Sequence, residues 1–238
     1  MRVLGIQMTA KSTGGQSFTF TGDGRSKQVM GACLRDYTTG TTIFEPCGSG
    51  SSFLFIEAGW VVLSKSLPSG ARVVTDFALR GDILSTATMR LAQETARAAS
   101  PTTLYEFREH LSGGGLDLSP QLSKTFVLEM MKRHARLTER MANIGGREAL
   151  ERTVHLFFEL SIRANSGARA EIDRFECPLR QSDLGEAVGV STVHMNRILK
   201  DLRERGLLSF RNGTVEFLNR NKLLALVEFD SSYLHADL

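Results

Sequence analysis

From about residue 34 to residue 107, apolar and polar positions alternate in short runs set apart by glycines at 40, 59, 70 and 81. The runs 41–44, 53–57, 60–64 and 73–79 are rich in β-branched and aromatic residues, which suit a pleated, half-buried surface. Pro68-Ser69-Gly70 supplies a turn between two of them. Several short strands with turn signals predict a barrel or jelly roll rather than a parallel sheet. A Ser-Gly-Gly-Gly run at 112–115 closes this region. Upstream, residues 1–31 are rich in Gly, Ser and Thr without a sustained period. They predict a flexible arm, with Phe18 and Phe20 available to cover an edge of the folded domain.

The period then changes. Ser119 suits an N-cap and Pro120 the first helical position. Val127, Met130, His134, Leu137, Met141 and Ile144 follow at spacings of 3, 4, 3, 4 and 3 until Gly145-Gly146. This is a heptad seam on a helical rod of roughly 37 Å. Two readings of the stripe stay open, a core contact within one subunit and a dimer seam, and the strict spacing favours the seam. Leu122, Phe126 and Met131 lie partly off it, placed to pack on the barrel. A second amphipathic helix follows over 147–163, with Leu150, Val154, Phe157, Phe158 and Leu160 apolar, and a polar loop over 165–169 ends it.

Residues 181–200 read QSDLGEAVGVSTVHMNRILK. Leu184, Val188, Val190, Met195 and Ile198 fall where a helix-turn-helix needs its inner apolar residues. Gly185 is small where two helices cross closely, and Gly189 sits at the tight turn. Ser191 is a plausible N-cap for the second helix. Thr192, Val193, Asn196 and Arg197 then share one exposed face, ready for a major groove. Arg pairs with a guanine edge, Asn with an adenine edge, and Val with a thymine methyl. Asn212-Gly213 predicts a hairpin between 207–211 and 214–218, the wing of a winged helix.

Composition narrows the class without naming it. The chain has 238 residues, 42% hydrophobic and 23% charged, values of ordinary globular domains. They exclude a disordered chain, a collagen-like chain and a disulfide scaffold. No run of 18 apolar residues occurs, and no secretory signal is expected at the N-terminus. The net charge of +3 is mild, so its distribution matters more than its size. Between 180 and 222, eight basic residues face five acidic ones. Three distant cysteines (Cys33, Cys47, Cys177) predict reduced thiols and a cytoplasmic location. No Walker loop, HExxH or nucleophile motif is present, so no enzyme is expected.

These features together resemble the Crp–Fnr superfamily of transcription regulators, over roughly residues 34–230. The residues that carry the likeness are the barrel glycines, Gly81-Asp82, the long helix, Arg152 and DLGEAVGVSTVHMNRILKDLRERGLL. The STVHMNR segment is similar to the recognition helix of alphaproteobacterial members. The resemblance implies an α+β fold: a cyclic-nucleotide-binding-like jelly roll over 32–118, a dimerisation helix over 119–145 and a winged helix-turn-helix over 146–238, after the arm of 1–31. It implies a homodimer that binds a palindromic promoter site in double-stranded DNA and contacts RNA polymerase, as an activator, with no membrane partner. The expected DNA-contacting set is Arg180, Gln181, Ser182, Ser191, Thr192, Val193, His194, Asn196 and Arg197, with Arg180 near the phosphate backbone.

Departures from the family pattern bear on the signal. Cyclic-AMP binders hold the cyclic phosphate with an Arg-Ser pair after a Gly-Glu pair. Here Gly81-Asp82 is shorter by a methylene, and Ala92 and Gln93 align with the Arg-Ser positions. A phosphate pocket without its cation is electrostatically poor, so cyclic AMP is not expected unless Arg90 or Arg97 substitutes. An iron–sulfur cluster needs four cysteine ligands. All five histidines (His110, His134, His155, His194, His235) lie outside 34–107, which argues against haem and against a cupin-like metal site. No cofactor or metal is therefore expected, and the effector is left open. Cys177, just before the helix-turn-helix, is a candidate redox residue, because oxidation there adds charge and bulk near phosphate contacts. Two alternatives remain: a cyclic-nucleotide-responsive regulator with a rearranged pocket, and a small-molecule-binding barrel with a vestigial DNA-binding domain.

Overall fold

A computed structural model describes residues 6–8, 16–22, 25–48, 50–108, 120–165 and 172–235. Its elements begin with strands β1 (Ile6–Met8), β2 (Gln16–Gly22), β3 (Arg25–Tyr37), β4 (Thr42–Phe44), β5 (Ser52–Ala58), β6 (Val61–Ser66), β7 (Arg72–Ala78) and β8 (Ile83–Ser85). Helix α1 (Thr86–Ala92) and strands β9 (Thr95–Ala98) and β10 (Thr102–Arg108) follow. The rest is helix α2 (Pro120–Gly146), α3 (Ala149–Ala164), β11 (Arg174–Glu176), α4 (Gln181–Val188), α5 (Thr192–Glu204), β12 (Leu208–Arg211), β13 (Thr214–Phe217) and α6 (Arg220–Val227). The chain divides into two compact units, residues 1–61 with 78–130 and residues 62–77 with 131–238.

In the first unit an antiparallel sheet runs in the order β1-β2-β3-β10-β5-β8, and β4 pairs with β9. Phe53, Leu54, Ile56, Leu84, Met89, Ala96, Ala98 and Leu104 are buried in it, which is the β-rich fold the short glycine-punctuated runs predict. Gly59 has φ +94°, and a Cβ there would lie 2.4 Å from the Pro101 carbonyl oxygen. Only glycine fits that crossing. Where an arm is expected, the described parts of residues 1–31 pair instead: β1 with β2, and β2 with β3. Thr and Phe alternate over 18–21, a period suited to a pleat, and β3 offers the partner edge. Residues 1–5, 9–15, 23 and 24 lie outside the described residues.

In the second unit β6 and β7 are neighbours, joined by a turn in which the Gly70 N–H donates to the Leu67 carbonyl at 2.9 Å. Helix α2 begins at Pro120, and its expected cap, Ser119, lies outside the described residues. Helix α3 starts at Ala149, two residues later than its pattern suggests. The Glu151 carboxylate accepts from the Glu148 backbone N–H at 3.0 Å, which defines that start. Val154, Phe157, Phe158 and Leu160 of α3 are fully buried. Phe158 stacks on Phe217 of β13 with ring centroids 4.7 Å apart.

Helix α2 carries two stripes of the same period. One is the apolar seam, where Val127 is 53%, Met141 75% and Ile144 47% exposed. His134 is also exposed, and Met130 and Leu137 are half-buried. Of the residues off the seam, Phe126 packs edge-on against Phe53 at 4.8 Å, whereas Met131 is exposed and the Leu122 side chain lies outside the described residues. A second stripe, about 100° further round the helix, is polar and buried: Glu129, Arg133, Arg136 and Asn143, with Arg140 nearly so. In the second unit its arginines, Arg133, Arg136 and Arg140, surround Asp76 of β7, which is 1% exposed. Arg136 donates to both Asp76 oxygens, at 3.2 and 2.8 Å to Oδ2, and Arg163 of α3 stands 3.6 Å away. Burial by itself would raise the Asp76 carboxyl. Arg136, Arg163 and Arg140 outweigh it and hold the group well below the usual carboxylate range.

Candidate nucleic-acid interface

Helix α5 is set by its cap and its inner face. The Ser191 Oγ accepts from the His194 backbone N–H at 3.2 Å, and Met195, Ile198, Leu199 and Leu202 are buried. The 3.6-residue period then leaves Ser191, Thr192, Val193, His194, Asn196 and Arg197 exposed, with Val193 at 62%. Helix α4 meets it through Gly189, which ends α4 at φ +72°. A Cβ on Gly185 would lie 2.8 Å from the Val190 carbonyl oxygen, so the close helix approach requires glycine.

At the start of α4, Arg180 is exposed and Gln181 and Ser182 are half-exposed. The Asp183 carboxylate accepts from the Arg180 backbone N–H at 3.2 Å. A helix N-terminus with a neighbouring arginine suits a phosphate. Lys200 of α5 and Arg205, which follows it, pair with Glu204 and Asp201, at 3.6 and 2.8 Å. Among the described residues no ion pair engages the Arg180 or Arg197 side chain. Both residues are exposed. Beyond α5, Asn212 (φ +50°) and Gly213 (φ +69°) join β12 to β13 with both turn residues left-handed, the mirror-image turn that an Asn-Gly pair favours. The resulting sheet has the order β11-β13-β12.

Cys177 is fully buried, and its N–H donates to the Gly213 carbonyl at 2.8 Å. Burial pushes its thiol up to about 12, so the nucleophilic thiolate is strongly disfavoured in the folded chain. Among the described residues no group of three or more His, Cys, Asp or Glu side chains could hold a metal ion.

The comparisons with known proteins match two separate stretches of the chain. The model of the cyclic nucleotide-binding domain matches residues 34–111, and that of the Crp-like helix-turn-helix domain matches residues 151–226. The chain belongs to the Crp–Fnr superfamily. Members of this superfamily are DNA-binding transcription regulators rather than enzymes. The nitrogen fixation regulation protein FixK of Bradyrhizobium diazoefficiens is 24% identical over 192 residues, covering 80% of each chain. A "Probable transcriptional activator" of Rhizobium leguminosarum bv. viciae is 24% identical over 166 residues, 69% of each chain. The solved structure of FixK2 from Bradyrhizobium japonicum superposes with a TM-score of 0.69 at 20% identity, covering 82% of this chain and 96% of that one. This Crp–Fnr protein is a DNA-binding regulator similar to FixK.

Two features of this Crp–Fnr chain carry no one-dimensional signal. Arg72, on the β6–β7 hairpin, donates to Asp183 of α4 at 2.7 Å. Asp76 gathers arginines from two helices, more than 50 residues further along the chain. Only the charged residue inside an apolar strand, TDF at 75–77, is unusual in the sequence.

Proposed function

We propose that the protein is a homodimeric activator that reads a palindromic promoter site in the cytoplasm and contacts RNA polymerase, without dependence on cyclic AMP. The observation that carries this reading is the outer face of α5, where Thr192, Val193, His194, Asn196 and Arg197 stand free over a buried apolar face. In this reading Arg180, Gln181, Ser182 and Ser191 hold phosphates, while the α5 face reads base edges in a major groove. Residues 32–118 act as the sensor-like domain, 119–145 as the dimerisation helix and 146–238 as the DNA-binding domain. The seam of Val127, Met130, His134, Leu137, Met141 and Ile144 joins two chains. Its support is the exposure of Val127, Met141 and Ile144, an apolar stripe that a second copy would cover. No helix among the described residues is long and apolar enough to cross a membrane.

Independence from cyclic AMP is supported by the α1 region. Ala92 closes α1 and Gln93 caps it at φ +58°, its side chain turned back to the Arg90 carbonyl. Arg90 donates to the Gly50 carbonyl at 2.6 Å and lies 6.0 Å from the Phe44 ring centroid, so it is already committed within the fold. The testing experiment is selection of bound duplexes from random DNA with the purified full-length chain, followed by gel shifts with and without cyclic AMP. A two-fold symmetric consensus bound equally well in both arms is expected. No enriched sequence would refute the DNA-reading assignment, and a strict need for cyclic AMP would refute the independence.

A further inference from the structure

The β6–β7 hairpin lies within the span matched by the cyclic nucleotide-binding domain, yet it is grouped in the same compact unit as the helix-turn-helix. Arg72, the first residue of β7 after the Leu67–Ala71 turn, bridges to α4. Its Nη2 donates to Asp183 Oδ1 at 2.7 Å. Its Nε lies 2.7 Å from Glu186 Oε2, an ion pair in which the N–H is not aimed at the oxygen. Asp183 is completely enclosed, and its other oxygen accepts from the Arg180 backbone N–H. One arginine of the sensor-like part therefore holds the carboxylate that shapes the start of α4, where Arg180, Gln181 and Ser182 stand.

We infer that Arg72 is a positioning residue for DNA binding: through Asp183 and Glu186 it sets the phosphate-facing N-terminus of α4 and neutralises two carboxylates that would otherwise repel the DNA backbone. The inference rests on the DNA-binding reading above. The chemistry is specific to a guanidinium. A planar fork reaches two carboxylates at once, whereas an ammonium is a point charge that satisfies one of them well. A buried carboxylate whose cationic partner is removed is an uncompensated charge, and it relaxes by moving the segment that carries it. Here that segment is the first turn of α4. Phosphate contacts carry no sequence information, so the hairpin should govern how tightly DNA is held and not which sequence is chosen.

The experiment uses the full-length chain and two fluorescent duplexes, one selected by the wild type from random DNA and one with the same bases scrambled. Binding is measured by anisotropy over a range of salt, with melting temperature and sedimentation as controls for fold and assembly. Arg72→Gln should weaken both duplexes by a like factor, roughly tenfold, and flatten the salt dependence by about one unit for each phosphate no longer engaged. The selected consensus should not change. Arg72→Lys should recover part of the affinity. In the double variant Arg72→Gln with Asp183→Asn, the affinity losses should not add, because Arg72 acts through Asp183. If Arg72→Gln does not fold, Arg72→Lys and Asp183→Asn carry the same comparison. Wild-type affinity in a folded Arg72→Gln, additive losses in the double variant, or a changed consensus would each overturn the inference. A wild-type chain that enriches no duplex at all would instead bring down the DNA-binding reading, and this inference with it.

Discussion

Val193 and Arg197 stand four residues apart on the exposed side of α5, and they differ in how much they can specify. A glutamate in the place of Val193 would accept from a cytosine amino group. Valine accepts no hydrogen bond, so that contact is absent and a thymine methyl becomes the matching partner. Arg197, exposed and without an ion pair among the described residues, suits the O6 and N7 edge of guanine. Arg197→Ala should cost about 1–3 kcal/mol on the best duplex and relax base preference at one position per half-site. Selection from random DNA with the variant checks this, and an unchanged consensus would mean that another face of α5 enters the groove. These residues were readable in the sequence because a helix of known phase separates its inner from its outer face. Arg72 was not readable, because nothing in a strand pattern announces a partner more than a hundred residues away.

At the scale of elements, the junction of α2 and α3 is held by His155. Its Nε2 lies 3.1 Å from Glu139 Oε1 and its Nδ1 3.2 Å from Asn143 Nδ2. A neutral ring satisfies both, with Nε2–H donating and Nδ1 accepting. Its ring also lies 4.8 Å from Phe229 and 6.1 Å from Tyr233, between centroids. Burial, then Arg147 and Arg140, push the imidazole down to about 4 from an ordinary value of 6.5. Between those values the unfolded chain binds a proton that the folded chain refuses. Stability from this site is therefore complete above 6.5 and is lost as the pH falls towards 4. The melting temperature should drop across that window, and His155→Gln should flatten the profile there. Parallel profiles for the two proteins would show that His155 does not set the acid response. The wing is the contrasting element. Its Asn-Gly turn was legible because two left-handed residues in succession have a strong local preference.

For the whole molecule, the deciding question is what covers the apolar stripe of α2. If two chains meet along it, the two α5 helices read half-sites about one helical turn apart, roughly 34 Å. Met141, at 75% exposure, makes no large contribution to its own subunit's core, so Met141→Asp tests the seam with little risk to folding. Sedimentation velocity should show a monomer, and affinity for the palindromic duplex should collapse while a single half-site is bound weakly. A variant that remains dimeric and binds normally would place the interface elsewhere.

The sequence by itself determined the β-rich stretch over 34–107, the long helix and the helix-turn-helix with its wing. Each is encoded by local period, by capping residues or by turn residues whose φ preference acts within a few positions. What only the tertiary structure decided is which way α2 faces. Its apolar stripe (Val127 to Ile144) and its charged stripe (Glu129, Arg133, Arg136, Arg140, Asn143) share one 3- and 4-residue spacing, so a one-dimensional pattern marks both as faces of equal standing. The usual rule would bury the apolar one within its own subunit. The structure buries the charged one, because Asp76 of a distant strand, with Glu159 of α3, brings carboxylates to the arginines. The arrangement is set by a long-range electrostatic match. Local hydrophobicity cannot encode it, since the partner that makes the burial favourable lies some 60 residues away in the chain.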